Sequence, residues 1–315
     1  MIRLAPLFLA LAVMLPTLAG FAQELLPGVE LIGADLSGRS LDGATLQGAN
    51  FSGADLSGAS FKGADLREAY FRAADLRGAD LSGANLGGAD FSLARLDGAT
   101  LSGAMLARAK LVAATLTQAD LEGAFLGGAV LTRADLTGAN LRRAVLQDAR
   151  LDQAKLIGSD MSAAVLGARG PGQEGPRAAS MRGADLTRAV AVAADFNSVD
   201  LTEARLRGGQ FNKANFTNAN LDWAEARGVD FTDANLSHAR LKAADISASN
   251  LTRTRLDLAR AAGVRLNDSN LTDASLIAAD MTLAQLVGAR LQGADFDGAR
   301  FDGAMGAPER PGEDR

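Results

Sequence analysis

The chain has 315 residues, of which 48% are hydrophobic but only 5% aromatic, and it contains 7 prolines and no cysteine. Its formal net charge is −5, from 37 acidic and 32 basic residues. The missing cysteines exclude disulfides, thiolate metal sites and a lipidated cysteine, and the mixed charge gives no reason to expect nucleic-acid binding.

Residues 1–22 have the features of an export signal. Arg3 supplies a short positive region, and residues 4–15 are apolar apart from Pro6. Gly20 and Ala22 provide small residues at the two positions that a signal peptidase recognises. The apolar run is too short for a good membrane span. We therefore predict cleavage after Ala22 and a periplasmic or secreted protein with no stable membrane insertion. The alternative is an uncleaved anchor.

A five-residue repeat begins at Leu31 and runs almost to the end of the chain. A large apolar residue stands at every fifth position, as at Phe51 and Leu56, and an alanine stands two residues before each. In a helix, five residues advance by about 140°, so these residues would form no stripe. In a plain strand, an odd period would place them on alternating faces. The repeat therefore predicts very short strands separated by bends, with the alanine and the large residue inside a solenoid.

The spacing of the phenylalanines predicts how many units form one coil. Three sets of phenylalanines are 20 residues apart: Phe51, Phe71 and Phe91; Phe196 and Phe216; Phe211 and Phe231. Like side chains stack best on adjacent coils, which favours four five-residue units per coil. Recurrent glycines, such as Gly33 and Gly38, fit bends that need a positive φ.

The motif, as in Ala34-Asp35-Leu36-Ser37-Gly38, resembles that of the pentapeptide repeat proteins, and copies of it extend from about Leu31 to Gly303. The resemblance implies an all-β fold, a right-handed quadrilateral β-helix, here with about 13–14 coils.

The repeat also predicts the organisation of the chain. Residues 23–30 are expected to form an N-terminal cap, in which Leu25 and Leu26 cover the open end of the first coil. The solenoid is expected at 31–166 and 181–304, as one continuous coil. Residues 167–180 are expected to form a Gly/Pro-rich loop, because prolines stand where large residues belong. Residues 305–315 are expected to be a disordered tail.

Few residues suggest chemistry. His238 is the one histidine and stands at an outward position, which is typical of a solvated surface residue. Asp35, Asp55 and Asp75 are 20 apart and could be interpreted as a calcium ladder. We prefer the interpretation that they hydrogen-bond locally near the bend. No catalytic residue, cofactor site or metal site is predicted.

Four residues depart from the motif in an ordered way. The outward position before the large residue is apolar at Met105, Phe125, Val145 and Val165, which are spaced by 20. In a four-sided coil they would form an exposed apolar stripe, which we interpret as a docking surface for a protein partner or a second copy. The alternatives are that loop 167–180 folds over the stripe or that it is tolerated surface. Tyr70 and Val130 are single departures on a neighbouring face and add little, and Trp223, at an outward position, is interpreted as a minor contact.

The leading functional hypothesis is an exported, non-enzymatic pentapeptide-repeat rod that acts as a protein-interaction or structural scaffold. The family resemblance implies a second hypothesis, a DNA-mimicking modulator of DNA gyrase. The export signal, the weak net charge and the lack of an apolar segment after Phe301 disfavour it. An envelope hydrolase or a calcium-dependent binder is a third class, for which the sequence offers no site.

Overall fold

A computed structural model describes residues 26–168 and 175–308, which divide into two compact units, Met1–Asn140 and Leu141–Arg315. Over these described residues there is no helix, and hence none long and apolar enough to cross a membrane. Each five-residue unit instead contributes one isolated parallel bridge, at the residue before the large apolar one, and a two-residue turn after it. The predicted export signal lies outside the described residues.

Within the first unit, every bridge joins residues that are 20 apart, from Glu30–Asn50 to Asp120–Asn140. Hydrogen bonds between adjacent coils are donated in both directions along the coil axis. Leu31 N–H donates to Asn50 O at 2.8 Å, and Asn50 N–H donates to Val29 O at 2.8 Å. A coil of 20 residues contains four five-residue units, so the prediction of four units per coil is confirmed.

The turns explain the glycines. Ala34 N–H donates to Leu31 O at 3.2 Å, which closes a β-turn whose third residue, Gly33, has φ 65°. A positive φ at this position is the requirement of a type II turn. The predicted role of the glycines is thus confirmed, although residues such as Glu68 adopt the same conformation with φ 58°.

The core consists of the predicted large residues and alanines, nearly all of which are fully buried. Phe71 stacks on Phe51 with ring centroids 5.1 Å apart and on Phe91 at 4.6 Å. In the second unit, Phe196 stacks on Phe216 at 4.7 Å. The predicted stacking on adjacent coils is therefore confirmed for these two sets, whereas the rings of Phe211 and Phe231 are tilted by 34° with centroids 5.8 Å apart.

The Gly/Pro-rich loop lies in the second compact unit, where it lengthens one coil by a whole number of five-residue repeats. Four bridges, from Arg150–Ser180 to Val165–Asp195, join residues that are 30 apart instead of 20. The regular turns stop at Leu166, and Ala179 N–H then donates to Leu166 O at 2.8 Å, in the manner of an ordinary turn. The extra ten residues equal two repeat units, so the frame resumes in phase, as the sequence predicted. Residues 169–174 lie outside the described part.

Buried hydroxyls occupy some inward positions of the second unit. Ser249 Oγ accepts from Val229 N–H at 3.1 Å and donates to Ala226 O at 3.0 Å. These two backbone groups correspond to the pair that bonds directly in most other turns. Ser249 therefore bridges a turn of the preceding coil.

The two ends of the repeat differ from the interior. Leu26, which we expected to cover the first coil, leaves 63% of its surface exposed, so the structure does not show it covering the core. Its neighbour Leu25 lies outside the described residues. At the other end, Phe296 and Phe301 are only half-buried. Met305 still pairs with Gln285, so the bridges extend one residue into the segment expected to be a tail.

Candidate interaction surface

The outward aspartates cap turns. Asp35 Oδ1 accepts from the Ser37 backbone N–H at 3.0 Å, and Asp55 Oδ1 accepts from the Ser57 backbone N–H at 3.0 Å. The hydrogen bond from the Ser37 hydroxyl lowers the pKa of Asp35, with further help from the Ser37 backbone N–H. This confirms the interpretation of the Asp ladder as local turn bonding. In the ranges 26–168 and 175–308, no group of three or more His, Asp or Glu side chains could hold a metal ion.

Arginines interrupt the acidic face of the first unit. Asp75 forms ion pairs with Arg77 at 2.6 Å and with Arg95 on the next coil at 3.5 Å. The hydrogen bond from Arg77 holds the pKa of Asp75 below its usual value. The face that begins with Asp35 and Asp55 is therefore of mixed charge and not a continuous anionic surface.

Met105 and Phe125 form an exposed apolar pair on adjacent coils of the first unit. A parallel bridge joins them, with Phe125 N–H donating to Ala104 O at 2.9 Å and Leu106 N–H donating to Phe125 O at 2.7 Å. Their backbones are thus about 4.8 Å apart, the usual strand spacing. Met105 is 51% exposed and Phe125 41% exposed. We call these two residues the Met105–Phe125 pair.

Small residues border this pair. Cβ atoms added at Gly103 and Gly123, in the preceding turns, would meet nothing within 4 Å. On the other side, a Cβ at Gly127 would lie 2.7 Å from Cζ of Phe125, so the ring lies across this glycine. The pair therefore protrudes from a low surface that a partner could approach closely.

The second unit contains the other two residues of the predicted stripe. Val145 and Val165 are bridged to each other, and both are half-buried. Beyond Val165 the apolar run ends, because the next bridge joins it to Asp195. The structure thus brings together Met105 with Phe125 and Val145 with Val165, each pair within its own unit.

The first residues of the Gly/Pro-rich loop form hydrogen bonds to the coil next to Val165. Gly167 N–H donates to Asp195 O at 2.9 Å, and Gln147 Nε2 donates to Gly167 O at 2.7 Å. Gly167 is itself buried, and a Cβ there would lie 2.8 Å from the Asn197 nitrogen. Only a glycine fits where the chain leaves the regular coil.

Sequence reasoning missed Leu258 and Ile277, two exposed apolar residues at turn positions of the second unit. Leu258 is 50% exposed and Ile277 40% exposed, and Leu258 N–H donates to Ile277 O at 2.8 Å. A scan of turn positions, and not only of the position before the large residue, would have found these two residues. Trp223, which the sequence does identify as an outward residue, is 55% exposed, with Lys242 Nζ 6.0 Å from its ring centroid.

The remaining candidates lie apart from the Met105–Phe125 pair. His238 is exposed, at a turn position with φ 61°, and Tyr70 is 49% exposed on a neighbouring face. Val130 is only partly exposed. An open depression in the second unit is lined by Asn267, Asp268, Gln285, Val287 and Met305.

The chain is thus a repeat protein with four five-residue units in each coil, and the exposed Met105–Phe125 pair is its candidate interaction surface. The family model of pentapeptide repeats matches eight segments, which together span more than half of the chain: 30–67, 74–111, 109–148, 177–208, 194–233, 214–253, 249–293 and 265–303. The chain belongs to the pentapeptide repeat family.

Several solved structures are similar to the chain. One is a trypsin-treated variant of QnrB1, a plasmid-mediated fluoroquinolone resistance protein, with 20% identity over 56% of this chain and 91% of that one and a TM-score of 0.46. Another is HetL, a pentapeptide repeat protein involved in heterocyst differentiation regulation in Nostoc sp. strain PCC 7120, with 28% identity over 90% of this chain and 94% of that one and a TM-score of 0.24.

A third is a pentapeptide repeat protein from the thylakoid lumen of Arabidopsis thaliana, with 42% identity over 34% of this chain and 71% of that one and a TM-score of 0.22. No curated protein sequence matches the chain.

Proposed function

We propose that this protein is a non-enzymatic pentapeptide-repeat scaffold that binds a protein partner through the Met105–Phe125 pair. The observation that supports this most is the exposure of both side chains, 51% and 41%, at a position that most other five-residue units fill with a polar or charged residue. Bulky apolar side chains that are held rigidly at a surface are typical of interaction sites.

The regular coil makes the pair a preorganised surface. Its backbone is held by inter-coil hydrogen bonds on both sides, so partner binding would order only the two side chains. We further propose, from the family resemblance, that the coil is the right-handed quadrilateral β-helix. Such a scaffold acts by presenting residues at fixed spacing, which needs no catalytic group.

We also propose that the protein is exported and acts in the periplasm or outside the cell. The support is the sequence of residues 1–22, with its basic start, apolar run and small residues before Gln23. Cell fractionation and sequencing of the mature N-terminus test this directly. A mature chain that begins at Gln23 is expected, and a full-length cytoplasmic protein would contradict export.

A cytoplasmic location would revive the alternative of a DNA-mimicking gyrase modulator. Ion pairs such as Arg77–Asp75 and Arg205–Asp185 weaken that alternative, because they divide the faces into alternating charges. A DNA mimic needs a continuous anionic surface to compete for a DNA-binding partner.

The test of partner binding is capture from an envelope extract with purified, tagged protein. Phe125→Asp should abolish recovery of the partner, because a carboxylate in the contact would have to be desolvated. Tyr70→Asp is the matched control. Like Phe125, Tyr70 stands directly before a large core residue in the first compact unit, and it is 49% exposed. Equal recovery with wild type and Phe125→Asp would contradict the proposal.

The orientation of the Phe125 ring allows a second test of partner binding. Gly127→Ala should displace the Phe125 ring, because the new Cβ would lie 2.7 Å from it. Gly87 has the equivalent position two coils earlier, and its nearest neighbour would be 3.5 Å from a new Cβ. Partner recovery should therefore fall for Gly127→Ala and not for Gly87→Ala.

A further inference from the structure

We propose that Met105 is an oxidation-sensitive switch, which peroxide converts to methionine sulfoxide and thereby turns off the Met105–Phe125 pair. The coupling to partner binding rests on the proposed function, whereas the oxidation itself does not. The argument starts from the accessibility of the sulfur.

The described methionines fall into two groups. Met161, Met181 and Met281 stand at core positions and are completely buried. Met105 is 51% exposed and Met305 61% exposed. Because a solvent oxidant must reach the sulfur, oxidation is expected at the exposed methionines and not at those in the core.

The reaction with hydrogen peroxide is balanced without any group from the protein. The sulfur lone pair attacks one peroxide oxygen, the O–O bond breaks, and the second oxygen leaves as water with both peroxide protons. The sulfur loses two electrons and the peroxide gains them. The product is a polar sulfoxide, which reduction can return to the thioether.

The position of Met105 gives this change a consequence. Its backbone is one strand spacing from that of Phe125, so a sulfoxide would introduce a strong hydrogen-bond acceptor into the apolar pair. A partner that covers the pair would have to desolvate that oxygen without replacing its hydrogen bonds to water. We expect partner affinity to fall by about tenfold or more.

Met305 provides the internal control. It is exposed to a similar degree but lies in the second unit, where it lines the depression with Asn267 and Val287. Its oxidation should change neither the Met105–Phe125 pair nor any partner that binds there.

The test treats the purified full chain with hydrogen peroxide, locates added oxygen by peptide mass spectrometry, and measures retention on a phenyl-agarose column. We expect oxidation at Met105 and Met305 well before Met161, Met181 and Met281, and earlier elution of the treated protein. Each variant is compared with its own untreated form. Met305→Leu should retain the part of the shift that Met105 contributes, and Met105→Leu should retain only the part that Met305 contributes.

Equal oxidation of core and exposed methionines, or an elution shift in Met105→Leu as large as that of the wild type, would overturn the inference. Failure of the scaffold proposal has a different signature, because capture of the partner would then be insensitive to Phe125→Asp. If capture depends on Phe125 but not on oxidation of Met105, the switch is wrong and the scaffold proposal stands.

Discussion

Gly209 occupies an inward position that most other five-residue units fill with alanine, and we predict that introducing this alanine would destabilise the protein. A Cβ at residue 209 would lie 2.5 Å from Cε2 of Phe211 and 3.0 Å from the carbonyl oxygen of Leu206. Non-bonded heavy atoms prefer roughly 3.5–4.0 Å. The Phe211 ring is completely buried, so it has no free space into which it could turn.

The magnitude follows from two opposing effects. Replacing glycine by alanine restricts the unfolded chain, which stabilises the folded state by about 0.4–1 kcal/mol. Overpacking a core costs about 1–3 kcal/mol. Because a backbone oxygen and a buried ring both obstruct the new methyl group, the second effect should dominate, and we expect a net loss of about 1–2 kcal/mol.

The assay is equilibrium unfolding in guanidinium chloride. Ser159→Ala is the matched control, because Ser159 is also buried at an inward position and its Oγ donates to Leu156 O at 2.9 Å. That oxygen also accepts from the Ser159 backbone N–H, so the control should cost less than about 1 kcal/mol. Adding Phe211→Leu should reduce the cost of Gly209→Ala. A Gly209→Ala protein as stable as the wild type would refute this reasoning.

Two further predictions concern stability. Phe71→Leu and Phe91→Leu should show a coupling of about 0.5–1.5 kcal/mol in a double-mutant cycle measured by urea unfolding, because the two rings stack at 4.6 Å with planes 1° apart; purely additive costs would contradict this. Burial raises the pKa of Asp90, but hydrogen bonds from neighbouring groups, chiefly Ser92, outweigh that effect and hold the pKa below its usual value. A depressed folded-state pKa stabilises the protein above the unfolded value of about 3.9, and that stability is lost as the pH falls through the folded-state pKa. Asp90→Asn should therefore flatten the acid branch of the stability profile, and an unchanged branch would show that Asp90 does not contribute.

The fold was largely predictable because one period controls it. A large residue at every fifth position, with phenylalanines 20 apart, was sufficient to predict four units per coil, the inward residues and the role of the turn glycines. Even the loop could be located, since the frame resumes in phase at Met181.

The departures were harder to predict because they depend on contacts between coils. The bridge from Ser249 to Val229 and Ala226 joins residues that are 20 and 23 apart, and nothing in the local motif distinguishes it from a tolerated serine. Similarly, Gly209 stands next to a ring that tilts, with Phe211 and Phe231 at 34°.

The candidate surface was predictable in part. The sequence identified Met105 and Phe125 as outward apolar residues, and the structure exposes both. It could not show that the Phe125 ring lies across Gly127, because that orientation depends on the side-chain rotamer and not on the period. Leu258 was not predicted, because it stands at a turn position and not directly before the large residue.

Photo-crosslinking in living cells tests the central claim most directly. Phe125 is replaced by a photoreactive phenylalanine analogue, and Tyr70 by the same analogue in a matched control. We predict a covalent adduct with one protein from position 125 and none from position 70. No adduct from position 125, or the same adducts from both positions, would contradict the account of the Met105–Phe125 pair as the binding surface.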